Sequence, residues 1–176
     1  MSRPLDFDPI LEARKRWAAH GWEEAAEGMA AITSIVRAQQ LFLARIDAVL
    51  RPLELTFARY EVLMLLVFSR KGSLPLNKIG ERLQVHPTSV TNAVDRLEQQ
   101  GLIKRVPHSS DRRTTLAEIL PSGRDLAARA TVALNEEVFS RPGMSSADLG
   151  QLVEVLQRLR RSAGDFSDAG PPATPA

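Results

Sequence analysis

The chain has 176 residues, 44% of them hydrophobic and only 5% aromatic, which excludes wholesale disorder and favours a core of packed aliphatic helices. It carries 23 Lys and Arg against 21 Asp and Glu and has no cysteine, so disulfides, thiolate catalysis and thiol-based peroxide sensing are excluded. No apolar run approaches the roughly 18 residues a membrane span requires and the first 22 residues lack a signal-peptide core, so the expected setting is the cytoplasm.

Taken in order, residues 1–22 are an extension with one short helix. Asp8-Pro9 suits a helix start, Ile10 to Ala19 the body and Gly21 the end. A long helix follows over Glu23 to Leu50, within a dimerisation segment of residues 23–52. Ala25, Met29, Ile32, Val36, Gln39, Leu43, Ile46 and Leu50 recur at spacings of four and three, a heptad seam. Such a seam fits a dimer interface or a helix buried within one subunit. Pro52 stops this helix. Phe57 to Phe68 is apolar nearly all round, the mark of a central, buried helix.

Residues 53–120 form one lobe, and its second half has a definite order. Leu76 to Leu83 is a short helix, Gln84-Val85-His86 a tight turn, and Pro87 to Gln100 a second helix with Gly101 at its C-terminal cap. Two β-prone runs follow, Leu102 to Val106 and Thr114 to Leu120, joined by the basic tip His108-Ser109-Ser110-Asp111-Arg112-Arg113. The fold class is therefore mainly α with a small β-wing of two to three strands: a winged helix-turn-helix, which reads DNA.

On a wheel of 100° per residue, Val90, Ala93, Val94 and Leu97 of the second helix make a narrow apolar stripe. Thr88, Ser89, Thr91, Asn92 and Arg96 lie away from it. A merely solvated face would carry Glu and Lys, which are better helix formers; hydroxyls and amides suit base edges and phosphates. Charge is concentrated in the same place. Between Lys78 and Arg113 there are seven cations and four anions, while the rest of the chain carries one net negative charge. The expected DNA-binding set is Pro87, Thr88, Ser89, Thr91, Asn92, Arg96, Asp111, Arg112 and Arg113.

Residues 121–163 hold two further helices, expected at Ser122 to Ser140 and Leu149 to Arg161, the second preceded by Ser145 and Asp148 in capping-box spacing. Residues 164–176, rich in Pro, Ala and Gly, are expected to be disordered.

Tyr60-Glu61-Val62-Leu63, the run from Ser89 to Ile103, and Asp111-Arg112-Arg113 with Leu120 and Gly123 beyond resemble the multiple-antibiotic-resistance regulator (MarR) family. The resemblance runs from about Glu24 to Arg161. It implies a homodimer built from the first and last helices, reading a pseudo-palindromic duplex, with Asp111 holding the wing and Arg113 reaching into the minor groove. Pro121 departs from the family pattern, which has a capping Thr there; Ser122 is expected to take over the cap. The resemblance also implies a repressor released by a small-molecule effector that wedges between the dimer helices and the lobe.

Some branches of the family add an N-terminal helix with a Trp that meets a planar anion. On that basis Trp17, His20, Arg59 and Tyr60 are candidate ligand contacts. The competing reading makes Trp17 and Trp22 apolar cover for a helix that packs across the dimer. No enzyme constellation can be assembled. His20, His86 and His108 share no metal-ligand spacing, and neither a phosphate loop nor a nucleophile elbow is present, so no catalytic residue, metal or cofactor is expected. The alternative function is a winged helix that contacts only protein.

Overall fold

The structure, a computed structural model, describes residues 4–108, 111 and 113–167. Helix α1 (Pro9–Ala19) begins where Asp8 Oδ1 accepts from the Ile10 N–H at 2.8 Å and stops at His20, followed by Gly21 at φ +82°. It lies along the first half of α2 (Glu23–Leu50), tied there by Arg14 to Glu27 at 3.1 Å. The heptad seam is buried within the subunit only at its C-terminal end. Ile46 and Leu50 enter the core of the lobe, whereas every residue from 31 to 41 is exposed, Ile32 by 66% and Val36 by 47%.

Pro52 falls in a 3-10 turn (Arg51–Leu53), and Glu54 takes a left-handed φ of 55°. Thr56 then caps α3 (Phe57–Phe68), whose Val62, Leu63 and Leu66 are fully buried. A short strand β1 (Ser73–Pro75) leads into α4 (Leu76–Leu83), α5 (Pro87–Gln99), β2 (Ile103–Pro107) and β3 (Thr115–Ile119). The sheet is antiparallel in the order β1-β3-β2, with Leu74 and Arg105 both opposite Ala117. The tetrapeptide from Arg70 to Ser73 reads as a turn in sequence, yet Ser73 starts β1; three residues are too few to show a period of two.

Helix α6 (Pro121–Leu134) carries Pro121 at its first position. Ser122 does not cap it. Its hydroxyl donates to the Gly101 carbonyl at 2.6 Å, tying the start of α6 to the end of α5. The last turn of α6, Asn135–Phe139, widens to a π-helix and its Glu137 carbonyl accepts from Arg45 Nη2 at 2.9 Å. The core is aliphatic as composition requires: Leu50, Val62, Leu63, Leu66, Ile79, Val94, Leu97, Ile103 and Leu134 are its largest fully buried side chains, drawn from α2 to α6 and the sheet.

Among the described residues, 140–167 form a second compact unit. Its helix α7 (Ser146–Ser162) has the expected capping box, Ser145 with Asp148, and begins three residues before the expected Leu149. Leu152, Val153, Val155 and Leu159 are exposed on it. Of the tail, 168–176 lies outside the described residues. No helix among the described residues is long and apolar enough to cross a membrane.

Candidate nucleic-acid interface

The turn between α4 and α5 is closed by Gln84, in the left-handed region at φ 54°, and by Val85 N–H on the Gly80 carbonyl at 3.2 Å. His86 then caps α5: its Nδ1 accepts from the Thr88 N–H at 3.2 Å, and Pro87 occupies the first helical position. A histidine read in sequence as a plain turn residue is thus the cap of the second helix of the helix-turn-helix. On α5 the apolar stripe is buried (Val90 2%, Val94 0%, Leu97 0%) and Ala93 is half-buried. Gly80 lets α4 approach, since a Cβ there would stand 3.3 Å from Val90 Cγ2. With that side fixed inward, Thr88, Ser89, Thr91 and Asn92 are exposed together at the N-terminal end. Thr91 donates its hydroxyl to the Pro87 carbonyl at 3.1 Å and keeps its oxygen as an acceptor.

Arg96 is exposed and donates to Gln99 at 3.2 Å. Ser89, Asn92 and Arg96 form one wall of an open cleft of about 870 Å³ whose other wall includes Arg51, Thr56 and Arg59. Arg59 is held across it, giving Nε to Thr56 Oγ1 at 3.2 Å and Nη1 to Gln100 Oε1 at 3.1 Å. Gln100 in turn donates to the Glu54 carbonyl at 3.2 Å, which fastens the C-terminal end of α5 to the corner between α2 and α3.

At the wing tip Asp111 accepts the Arg113 N–H at 3.0 Å and the Thr114 hydroxyl at 2.7 Å. Thr114's hydroxyl, then Arg113's N–H, hold the Asp111 carboxyl below the usual carboxylate range. Arg113 is exposed, and Arg112 lies outside the described residues with Ser109 and Ser110. Lys104 pairs across the ribbon with Glu118 at 2.7 Å. Arg105, which by its place on the stem would be assigned to a phosphate or to nothing, instead points at α5. It bonds Asp95 at 2.5 Å and Glu98. Asp95 and Glu98 lie three residues apart on one helix, and the chain reversal at Gly101 brings Arg105 to both.

The candidate ligand contacts divide. Trp17 and Trp22 meet edge to face at 5.1 Å, His20 stacks on Trp22 at 5.7 Å, and His20 Nδ1 lies 2.8 Å from the Arg16 carbonyl. Arg59 belongs to the cleft described above, whose walls include no residue of α1. Tyr60 is not a surface contact: it is 7% exposed, its ring stacks on Phe57, and its hydroxyl lies 3.0 Å from Thr131 Oγ1. A buried tyrosine needs one polar partner, and α6 supplies it. No cluster of His, Cys, Asp and Glu among the described residues could hold a metal ion.

A capped, polar-faced helix beside a basic β-ribbon defines a winged helix-turn-helix lobe. The MarR family model matches residues 55–115, which span the helix-turn-helix and the wing up to the start of β3. The chain is similar to Sco5413, a MarR family transcriptional regulator of Streptomyces coelicolor, at 49% identity over 81% of this chain and 99% of that one, with a TM-score of 0.74. It is 29% identical to the HTH-type transcriptional repressor MdtR of Bacillus subtilis (strain 168), across 60% of this chain and 75% of that one. The fold also matches Sco3205 of Streptomyces coelicolor, a MarR family regulator solved in complex with DNA, at 22% identity, 78% and 88% coverage and a TM-score of 0.69. The chain belongs to the MarR family of transcriptional regulators.

Proposed function

We propose that this chain is a cytoplasmic, homodimeric repressor that binds a pseudo-palindromic DNA operator and is released from it by a small-molecule effector. The observation that carries the DNA reading is the exposed row Thr88, Ser89, Thr91 and Asn92 at the N-terminal end of a helix whose opposite side is fully buried. Hydroxyls, an amide and free helix N–H groups there suit the major groove and its phosphates. Pro87 starts that helix, Arg96 flanks it, and Arg113 is exposed on the wing next in sequence to Arg112, which completes the set. The name of MdtR supports repression, and the DNA bound to Sco3205 supports the operator.

The unburied middle of α2, with Ile32, Ile35 and Val36 exposed, supports a second copy as partner across residues 23–52 and 121–163. The effector reading is favoured by the Trp17, His20 and Trp22 cluster, an aromatic surface suited to stacking on a planar anion. Titration of a duplex taken from the DNA flanking the protein's own gene, at several salt concentrations, tests the main reading. Footprinted, salt-sensitive binding is expected. Absence of binding at low salt would leave the alternative, a protein-contacting module. A planar anion such as salicylate should quench tryptophan fluorescence and release DNA; an unchanged response after deletion of residues 1–20 would remove Trp17 and His20 from the effector site.

A further inference from the structure

Arg105 stands at the middle of β2, opposite the fully buried Ala117, and all of its hydrogen bonds that leave the sheet run to α5. Its backbone N–H donates to Glu98 Oε1 at 2.8 Å, its Nη1 to Glu98 Oε2, and its Nη2 to Asp95 Oδ1 at 2.5 Å. The side chain is only 27% exposed, so its charge is satisfied within the lobe. Donation from the Arg105 N–H and then from its guanidinium holds the Glu98 carboxyl below the usual range, which keeps the link ionised at neutral pH.

The ribbon needs such a link. Strand β1 supports β3 only as far as Leu116, through Pro75. Arg105 stands in that three-stranded stem, opposite Ala117; beyond it only the Pro107–Thr115 pair and the tip form a two-stranded hairpin, which is marginal by itself in water and takes its direction from the stem. A wing that is ordered only on contact would lose much of the affinity its tip gains, because ordering opposes binding.

We propose that Arg105 is a positioning residue for DNA reading: bridging Asp95 and Glu98, it fixes the wing against the recognition helix, so that Arg113 and Asn92 reach their grooves as one rigid body. The inference rests on the DNA-reading function proposed above. It makes the contribution of Arg113 conditional on the bridge, although Arg105 itself touches no DNA.

The test compares Arg113→Ala with its parent in three backgrounds, on the duplex protected in the footprint: wild type, Arg105→Gln, and Asp95→Asn with Glu98→Gln. In the wild-type background Arg113→Ala should weaken binding roughly tenfold, the size of one good groove contact. In either broken-bridge background the same change should cost less than about threefold, since the free wing contributes little. Arg105→Gln alone should leave the slope of log affinity against log salt unchanged.

A slope lower by about one unit, with the tenfold ratio intact, would make Arg105 a phosphate contact and overturn the proposal. A lower melting temperature with both slope and ratio unchanged would make it a purely structural residue and overturn it equally. The carboxylate variant retains every cation, so its ratio separates lost order from lost charge. If Arg105→Gln does not fold, Asp95→Asn alone, which keeps the Glu98 bonds, supplies the comparison. Failure of the wild type to bind any duplex would refute the function rather than the bridge.

Discussion

Asp111 holds Arg113 by its main chain: the carboxylate accepts the Arg113 N–H at 3.0 Å, and among the described residues no acceptor engages the Arg113 guanidinium. Holding the turn and reading the groove are therefore separable. Arg113→Ala should weaken binding to all sequences and reduce the salt slope by about one unit. Asp111→Ala should weaken binding with a smaller change in slope, because the cation remains on a looser turn. Asp111→Asn, which keeps an acceptor for the N–H, should fall between it and wild type. Equal slopes for Arg113→Ala and wild type would remove the wing from the DNA.

Asn92 is exposed one turn into α5, with its side chain free to face a base edge. Asn92→Ala should cost about 1–3 kcal/mol on the best operator and relax preference at one base position. Binding profiles over a set of singly substituted duplexes give the readout. A uniform loss across all of them would assign Asn92 to phosphate.

Gly123 sits in the first turn of α6, where a Cβ would collide with the Leu102 carbonyl oxygen and stand 2.9 Å from Ile119 Cγ1. Alanine would gain up to about 1 kcal/mol of helix propensity, but overpacking a backbone contact costs about 1–3 kcal/mol. The second effect should win, because the carbonyl belongs to the β2 stem and also accepts from Leu120 N–H at 3.0 Å. Gly123→Ala should lower the denaturant midpoint; an unchanged midpoint would mean α6 shifts without cost.

The apolar middle of α2 predicts the assembly. Sedimentation at micromolar concentration should give the mass of two chains. Ile32→Glu with Val36→Glu, both at exposed positions, should yield a folded or partly folded single chain with weakened operator binding. A wild-type protein that sediments as one folded chain refutes the dimer.

Acid should act in two opposite ways. Asp111 and Glu98 titrate below their ordinary values, so what they contribute is complete above the usual carboxylate range and is lost only as pH falls through the lowered folded values. Wing-dependent binding should thus be flat through the neutral and mildly acid range and fail only below the ordinary carboxylate range, about pH 4. Burial raises the Glu61 carboxyl, the reverse sign: its neutral form suits the fold, and stability falls as pH rises through the raised value. Glu61→Gln should raise the melting temperature at neutral pH and leave it unchanged in acid. A stabilisation that persists at low pH would point to packing instead of charge.

The elements that repeat a period were legible in sequence. The span of α2, the apolar stripe of α5 and the capping box of α7 all follow from local spacing and cap chemistry, which depend on residues within a turn or two. Contacts between elements were not. Arg105 on Asp95 and Glu98, Arg59 on Gln100 and Ser122 on Gly101 join residues 7 to 41 positions apart, and no local rule names such partners. Tyr60 shows the same limit: the resemblance made it a candidate ligand contact, whereas α3 turns it inward towards Thr131, a partner 71 positions away.

Both outer strands of the sheet end in a residue that cannot donate: Pro75 closes β1 and Pro107 closes β2. Between them, the Arg105 N–H, directed away from β3, is already occupied by Glu98. A protruding ribbon with open N–H groups is a template for strand addition by another chain, and these features remove the offer. The wing can therefore stand out from the lobe, as a groove probe must, without becoming a seed for aggregation.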